Sequence, residues 1–143
     1  AALADFETAQ ADLSAAGTPT LAGEVAADRA RALVALGRNA DAAKALEQAR
    51  RDAPQLTSAW LLSATLARRG GELAQAQTYI ETAAALAPQD PAVGLEAGVI
   101  AILDGRDDAA RTSWQSALAA APASPEAETA RGYLKQLEAP HEQ

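Results

Sequence analysis

His141 is the only histidine of the chain and stands third from its end, so any imidazole chemistry would rest on a terminal residue. There is no cysteine, which removes Cys-based zinc sites and the Cys–His nucleophile. A Ser–His–acid arrangement would need the same terminal histidine. Asp104-Gly105-Arg106-Asp107-Asp108 has the carboxylates of a calcium loop, but lacks the alternating ligand spacing and closing glutamate that such a loop uses. It reads instead as a helix-linking turn whose acids cap the helix that follows. Gly70-Gly71 is likewise a turn, and no glycine-rich phosphate loop occurs anywhere. The carboxylate pairs Asp107/Asp108 and Glu126/Glu128 suit helix starts, and Arg50-Arg51 and Arg68-Arg69 suit helix ends, where each charge complements the helix dipole. These residues predict no catalytic centre, no metal site and no cofactor.

The bulk composition narrows the partners. The formal net charge is −7, whereas nucleic acid and anionic membrane surfaces both attract a basic face. Hydrophobic residues make up 49% of the chain, yet it has only two Trp, two Tyr and one Phe, so alanine and leucine must supply most of the packing. Small side chains let helices approach closely and fill a strand-built core poorly. No apolar run reaches the roughly 18 residues that a spanning helix needs. The sequence contains no methionine, even at position 1. It is therefore expected to be a processed or excised piece, and the compartment stays open between cytoplasm and, if an upstream signal or anchor was removed, periplasm. The Ala-, Arg- and Gly-rich composition suggests a bacterial source.

The strongest pattern is periodic. Gly37, Gly71 and Gly105 recur at one spacing, as do Ala42, Ala76 and Ala110, then Ala49, Ala83 and Ala117, then Pro54, Pro88 and Pro122. A fifth series, Ala30, Ala64, Gly98 and Gly132, runs on toward the C-terminus. Glycine tolerates the left-handed conformation needed just after a helix, and proline cannot continue one. The unit thus reads helix, tight turn, helix, loop.

Period and residue classes resemble the tetratricopeptide repeat (TPR), whose unit has 34 residues, small residues at its helix crossings and a closing proline. The resemblance implies an all-α, right-handed helical-hairpin solenoid, a single domain over 1–143 with about three full repeats, an N-terminal half repeat and a C-terminal capping helix. A lone helix is expected over 3–16, with Phe6, Ala9, Leu13 and Ala16 on one face. Gly17, Thr18 and Pro19 are expected to break it. Repeat 1 spans 23–56 (first helix about 23–36), repeat 2 spans 57–90 and repeat 3 spans 91–124. The cap covers 125–138, and 139–143 is a frayed tail. In repeat 2, Thr57 or Ser58 is the expected N-cap, and Trp60 and Ala64 match the aromatic and small positions of the family pattern.

In TPR proteins the first helix of each unit lines a concave face. Carried over by that resemblance, the groove offers Glu24, Ala27, Arg31, Val34 and Ala35 from repeat 1, and Ser58, Leu61, Thr65, Arg68 and Arg69 from repeat 2. Repeat 3 offers Ala92, Leu95, Val99, Ile102 and Leu103, and the cap adds Thr129, Tyr133 and Gln136. The pattern is graded, with Arg31 and Arg68 toward one end and Leu95, Val99, Ile102 and Tyr133 toward the other. The reading is a non-enzymatic module that binds a protein or peptide segment, apolar anchors near the cap and acidic groups near the arginines. Leu95→Glu with Val99→Glu should then abolish binding while leaving helical content intact. The residue pattern leaves two alternatives: a self-associating structural domain, or a recognition segment of a larger enzyme or membrane-anchored protein. The Lys/Asn clamp that some TPR domains use for chaperone C-termini is absent from Ala27/Arg31, Leu61/Thr65 and Leu95/Val99.

Overall fold

The structure, a computed structural model, describes residues 2–15 and 18–139. Among these are eight α-helices: α1 Ala2–Ala15, α2 Pro19–Ala35, α3 Asn39–Asp52, α4 Thr57–Arg69, α5 Leu73–Leu86, α6 Pro91–Leu103, α7 Asp107–Ala120 and α8 Pro125–Glu138. The fold class is all-α, built of helical hairpins, as the repeat pattern predicts. His141, Gly17, Ala16 and the tail beyond Ala139 lie outside the described residues, as does the side chain of Leu13.

The recurring glycines make the tight turns. Gly37, Gly71 and Gly105 have φ of 75°, 81° and 75°, a region that side-chain-bearing residues avoid. Each turn repeats one hydrogen-bond pattern: Gly37 N donates to Val34 O and Arg38 N to Leu33 O, and the bonds recur at Gly71/Glu72 and Gly105/Arg106. That pair of hydrogen bonds satisfies the last carbonyls of the first helix and reverses the chain. The second helices end just before Pro54, Pro88 and Pro122. Asp90 and Ser124 then cap α6 and α8 by accepting from Ala92 N and Ala127 N, with Pro91 and Pro125 in the first turns.

Three expectations shift. Helix α2 begins at Pro19, ahead of the expected 23, because proline needs no intrahelical N–H donor in a first turn and so starts this helix. The acids of the 104–108 turn make no side-chain cap: the residue preceding α7 is Arg106, Asp104 accepts from its Nε at 2.9 Å, and Asp107 and Asp108 lie inside the first turn. Their contribution is charge at the positive helix end. Thr57 is likewise already within α4.

The chain divides into two compact units, Ala1–Leu66 and Ala67–Gln143, with α4 crossing the boundary. In the first, Ala30, Leu33, Ala42, Ala45 and Leu46 form the buried centre, against which Leu3, Val34, Leu62 and Leu66 pack. Arg29 Nη2 ties α2 to α1 through Glu7 Oε1 at 2.6 Å. Arg50, near the end of α3, donates to Ser63 Oγ and lies 5.6 Å from the Trp60 ring centroid, while Trp60 Nε1 donates to Pro54 O at 2.8 Å. Trp60 thus braces the loop between α3 and α4. Trp60→Phe keeps an aromatic face for Arg50 and removes the bond to Pro54, so it should cost about 1 kcal/mol in chemical denaturation. A loss under about 0.3 kcal/mol would show that the bond to Pro54 contributes nothing net.

In the second unit, Ala101, Ala110, Trp114, Ala117 and Ala130 are buried together, flanked by Leu95, Val99, Ile102, Leu118, Tyr133, Leu134 and Leu137. Helix α6 is the hub, packed on α5, α7 and α8.

Candidate partner-binding site

The arginines expected to receive acidic groups are already engaged. Arg31 is exposed, and its Nη1 is paired with Asp28 Oδ1 one helical turn earlier. Arg68 forms a two-pronged pair with Glu96 of α6, Nε to Oε2 at 2.6 Å and Nη2 to Oε1 at 3.1 Å. Glu96 is 8% exposed, so this carboxylate is held inside the second unit chiefly as a partner for the guanidinium. Sequence reasoning passed over Glu96. The available signal was a lone charge in the otherwise uncharged helix PAVGLEAGVIAIL.

On α4, Leu61 and Thr65 are half-buried one turn apart, and Thr65 Oγ1 donates to Leu61 O at 3.1 Å. Of the other positions carried over in the first unit, Ala27 is buried and Val34 packs on the core, while Glu24 and Ala35 are exposed.

The apolar residues do converge. Val99 and Ile102 from α6 and Tyr133 from α8 line one open pocket of about 390 Å³, together with Asp107 and Trp114 of α7 and Gln136 and Leu137 of α8. Leu95 is half-buried just behind, and its carbonyl accepts from Trp114 Nε1 at 3.2 Å. Leu103, next to Ile102, is 56% exposed. Because Leu95 and Val99 also pack on the buried cluster, the double glutamate variant would disturb the core as well as the surface, so it is a poor probe of binding alone.

The pocket floor is closely packed for a reason that begins in the sequence. Gly98 has no Cβ, and the indole of Trp114 occupies the space where one would stand. The Tyr133 ring leans on the indole at 5.1 Å between centroids and 43° between planes, an ordinary tilted aromatic pair. With the bond to Leu95, the indole is therefore fixed on three sides. Arg111 joins α7 to α8 by donating to Glu138 Oε1 as well as Asp108 Oδ1, each at 2.7 Å, and these bonds, Glu138 first, raise its pKa above the usual guanidinium value. The arrangement is a preformed apolar recess with one acid at its edge. Among the described residues, no group of three or more potential metal ligands converges anywhere.

A family model described as Tetratricopeptide repeat matches residues 27–91 and again 61–125, together well over half of the chain. Solved structures agree on the fold. The TPR domain of Arabidopsis OM64 has a TM-score of 0.74 at 17% identity, over 82% of this chain and 98% of that one. The type III secretion translocator chaperone SycD of Yersinia enterocolitica, in an alternative dimer, gives 0.71 at 16%, over 80% and 87%. MamA from Desulfovibrio magneticus RS-1 gives 0.65 at 15%, over 95% and 93%. At such identities the likeness is one of fold. No curated protein matches the sequence significantly.

Proposed function

We propose that this chain, which belongs to the tetratricopeptide-repeat family, is an adaptor or assembly scaffold that holds a segment of another protein in the pocket between α6, α7 and α8. Domains of this family are characteristically protein-interaction modules rather than enzymes, and scaffolding is consistent with a fold shared with a secretion chaperone and with MamA. The observation that carries the reading is the convergence of Val99, Ile102 and Tyr133 on one preformed recess. Apolar surface left open to water favours an occupant, and a recess that does not rearrange spares the ordering cost of binding. Each unit taken by itself, Arg31, Leu61 and Thr65 in the first and Arg68 in the second are proposed as further partner contacts, the arginines acting through their polar edges rather than as free charges.

The test uses peptides selected on the full chain from a random displayed library. Gln136 is exposed and lines the pocket, so Gln136→Trp should fill the opening without touching the core. Affinity for the selected peptides should fall at least about tenfold, about 1.4 kcal/mol, at an unchanged melting temperature. Undiminished affinity would overturn the site. Self-association is the second reading, favoured by the exposure of Leu36 (63%) and Leu103 (56%), and a molar mass that rises with concentration would support it.

A further inference from the structure

The pocket carries a charge instruction that the repeat pattern does not. Its lining is apolar apart from the amide of Gln136, the hydroxyl of Tyr133 and one charge, the carboxylate of Asp107, the first residue of α7. The neighbouring cations are turned elsewhere. Arg106 is held by Asp104 and Gln77, and Arg111 by Asp108 and Glu138. Lys135 is exposed and does not line the pocket. Among the described residues no cation lies within ion-pair distance of Asp107. The two arginines that might have drawn an acidic ligand, Arg31 and Arg68, are paired within this chain.

We infer that the partner segment is basic: a bulky apolar side chain enters the recess against Trp114 and Tyr133, and a Lys or Arg beside it in the segment pairs with Asp107. This rests on the pocket being the binding site, as proposed above, and adds the partner's chemistry. The net charge of −7 favours encounter with such a segment and disfavours an acidic one. An aromatic floor also accepts the stem of a long cationic side chain. An acidic peptide gains the same apolar contact but meets Asp107 unfavourably, so the acid sets selectivity and the recess sets affinity.

The experiment repeats the random-library selection on the wild type, on Asp107→Lys and on Gln136→Trp, each checked for helical content and melting. Wild-type peptides should combine a bulky apolar residue with Lys or Arg within about one helical turn. Selection on Asp107→Lys should exchange that cation for Asp or Glu. For one wild-type peptide, Asp107→Lys should weaken binding about fivefold at low salt, with the difference shrinking in high salt. Peptides that need the open pocket but show no cation, or ignore Asp107→Lys, overturn this inference and leave the pocket reading standing. Peptides that bind Gln136→Trp as well as wild type overturn both. Enrichment of sequences like this chain's own Leu36-Gly37-Arg38 turn, with mass rising with concentration, would make a second copy the occupant and overturn the foreign partner.

Discussion

Gly98→Ala is expected to destabilise the second unit by about 1–3 kcal/mol, while Gly132→Ala stabilises it by about 0.5–1 kcal/mol. The two glycines belong to one series in the repeat, both lie inside helices, and the substitution is the same. Alanine is the better helix former by up to about 1 kcal/mol at either position, so local propensity alone predicts a gain twice. Packing reverses one of them. A Cβ at position 98 would overlap the Trp114 indole, a buried ring that cannot swing aside without breaking its bond to Leu95 and its contact with Tyr133. Overpacking of that kind costs about 1–3 kcal/mol, and the lost hydrogen bond adds about 1. At position 132 nothing stands within 4 Å, so only the propensity gain remains. Chemical denaturation followed by far-ultraviolet circular dichroism reads both signs. Stabilisation at both positions would show that the indole yields easily and that the pocket floor is not closely packed.

The second large effect lies at Arg68 and Glu96. Arg68→Ala strips two hydrogen bonds from a carboxylate whose side chain is only 9% exposed. Breaking a fully buried pair costs about 3–5 kcal/mol, and the 21% exposure of Arg68 lowers the expectation to about 2–3 kcal/mol. Replacing both residues with leucine should return stability to within about 1 kcal/mol of wild type, because an apolar pair of similar volume avoids the desolvation of both charges. The double-mutant cycle of Arg68→Leu, Glu96→Leu and the double variant is therefore expected to give a coupling of at least about 1.5 kcal/mol. A loss below about 0.5 kcal/mol in Arg68→Ala would show that the pair is a surface contact, leaving Arg68 available to an outside carboxylate.

These two cases also show what the sequence could and could not disclose. The turn glycines, closing prolines and buried alanines announce themselves because each answers a local demand: a positive φ, a missing N–H, a close helix approach. Val99, Ile102 and Tyr133 could be brought together by the resemblance, since repeats place equivalent helices side by side. Glu96 could not. Its meaning depends on an arginine 28 positions away on another helix, and no local rule reports that meeting. Pro19 misled because proline both ends helices and begins them, and only the chain beyond it decides which. Asp107 was legible as a turn acid but not as part of a pocket wall, because the wall is completed by α8. The pairing of Arg31 with Asp28 and of Arg68 with Glu96 was likewise not written in the repeat pattern that suggested an acidic ligand.

Whether a partner segment sits against Trp114 is measurable because the chain has only two tryptophans. In Trp60→Phe, Trp114 is the sole tryptophan, so its emission reports on the pocket floor. Titration with a tryptophan-free selected peptide should change that emission saturably, with the Kd found by fluorescence anisotropy of the labelled peptide. A peptide that binds by anisotropy yet leaves the emission unmoved would place its site elsewhere and contradict the account.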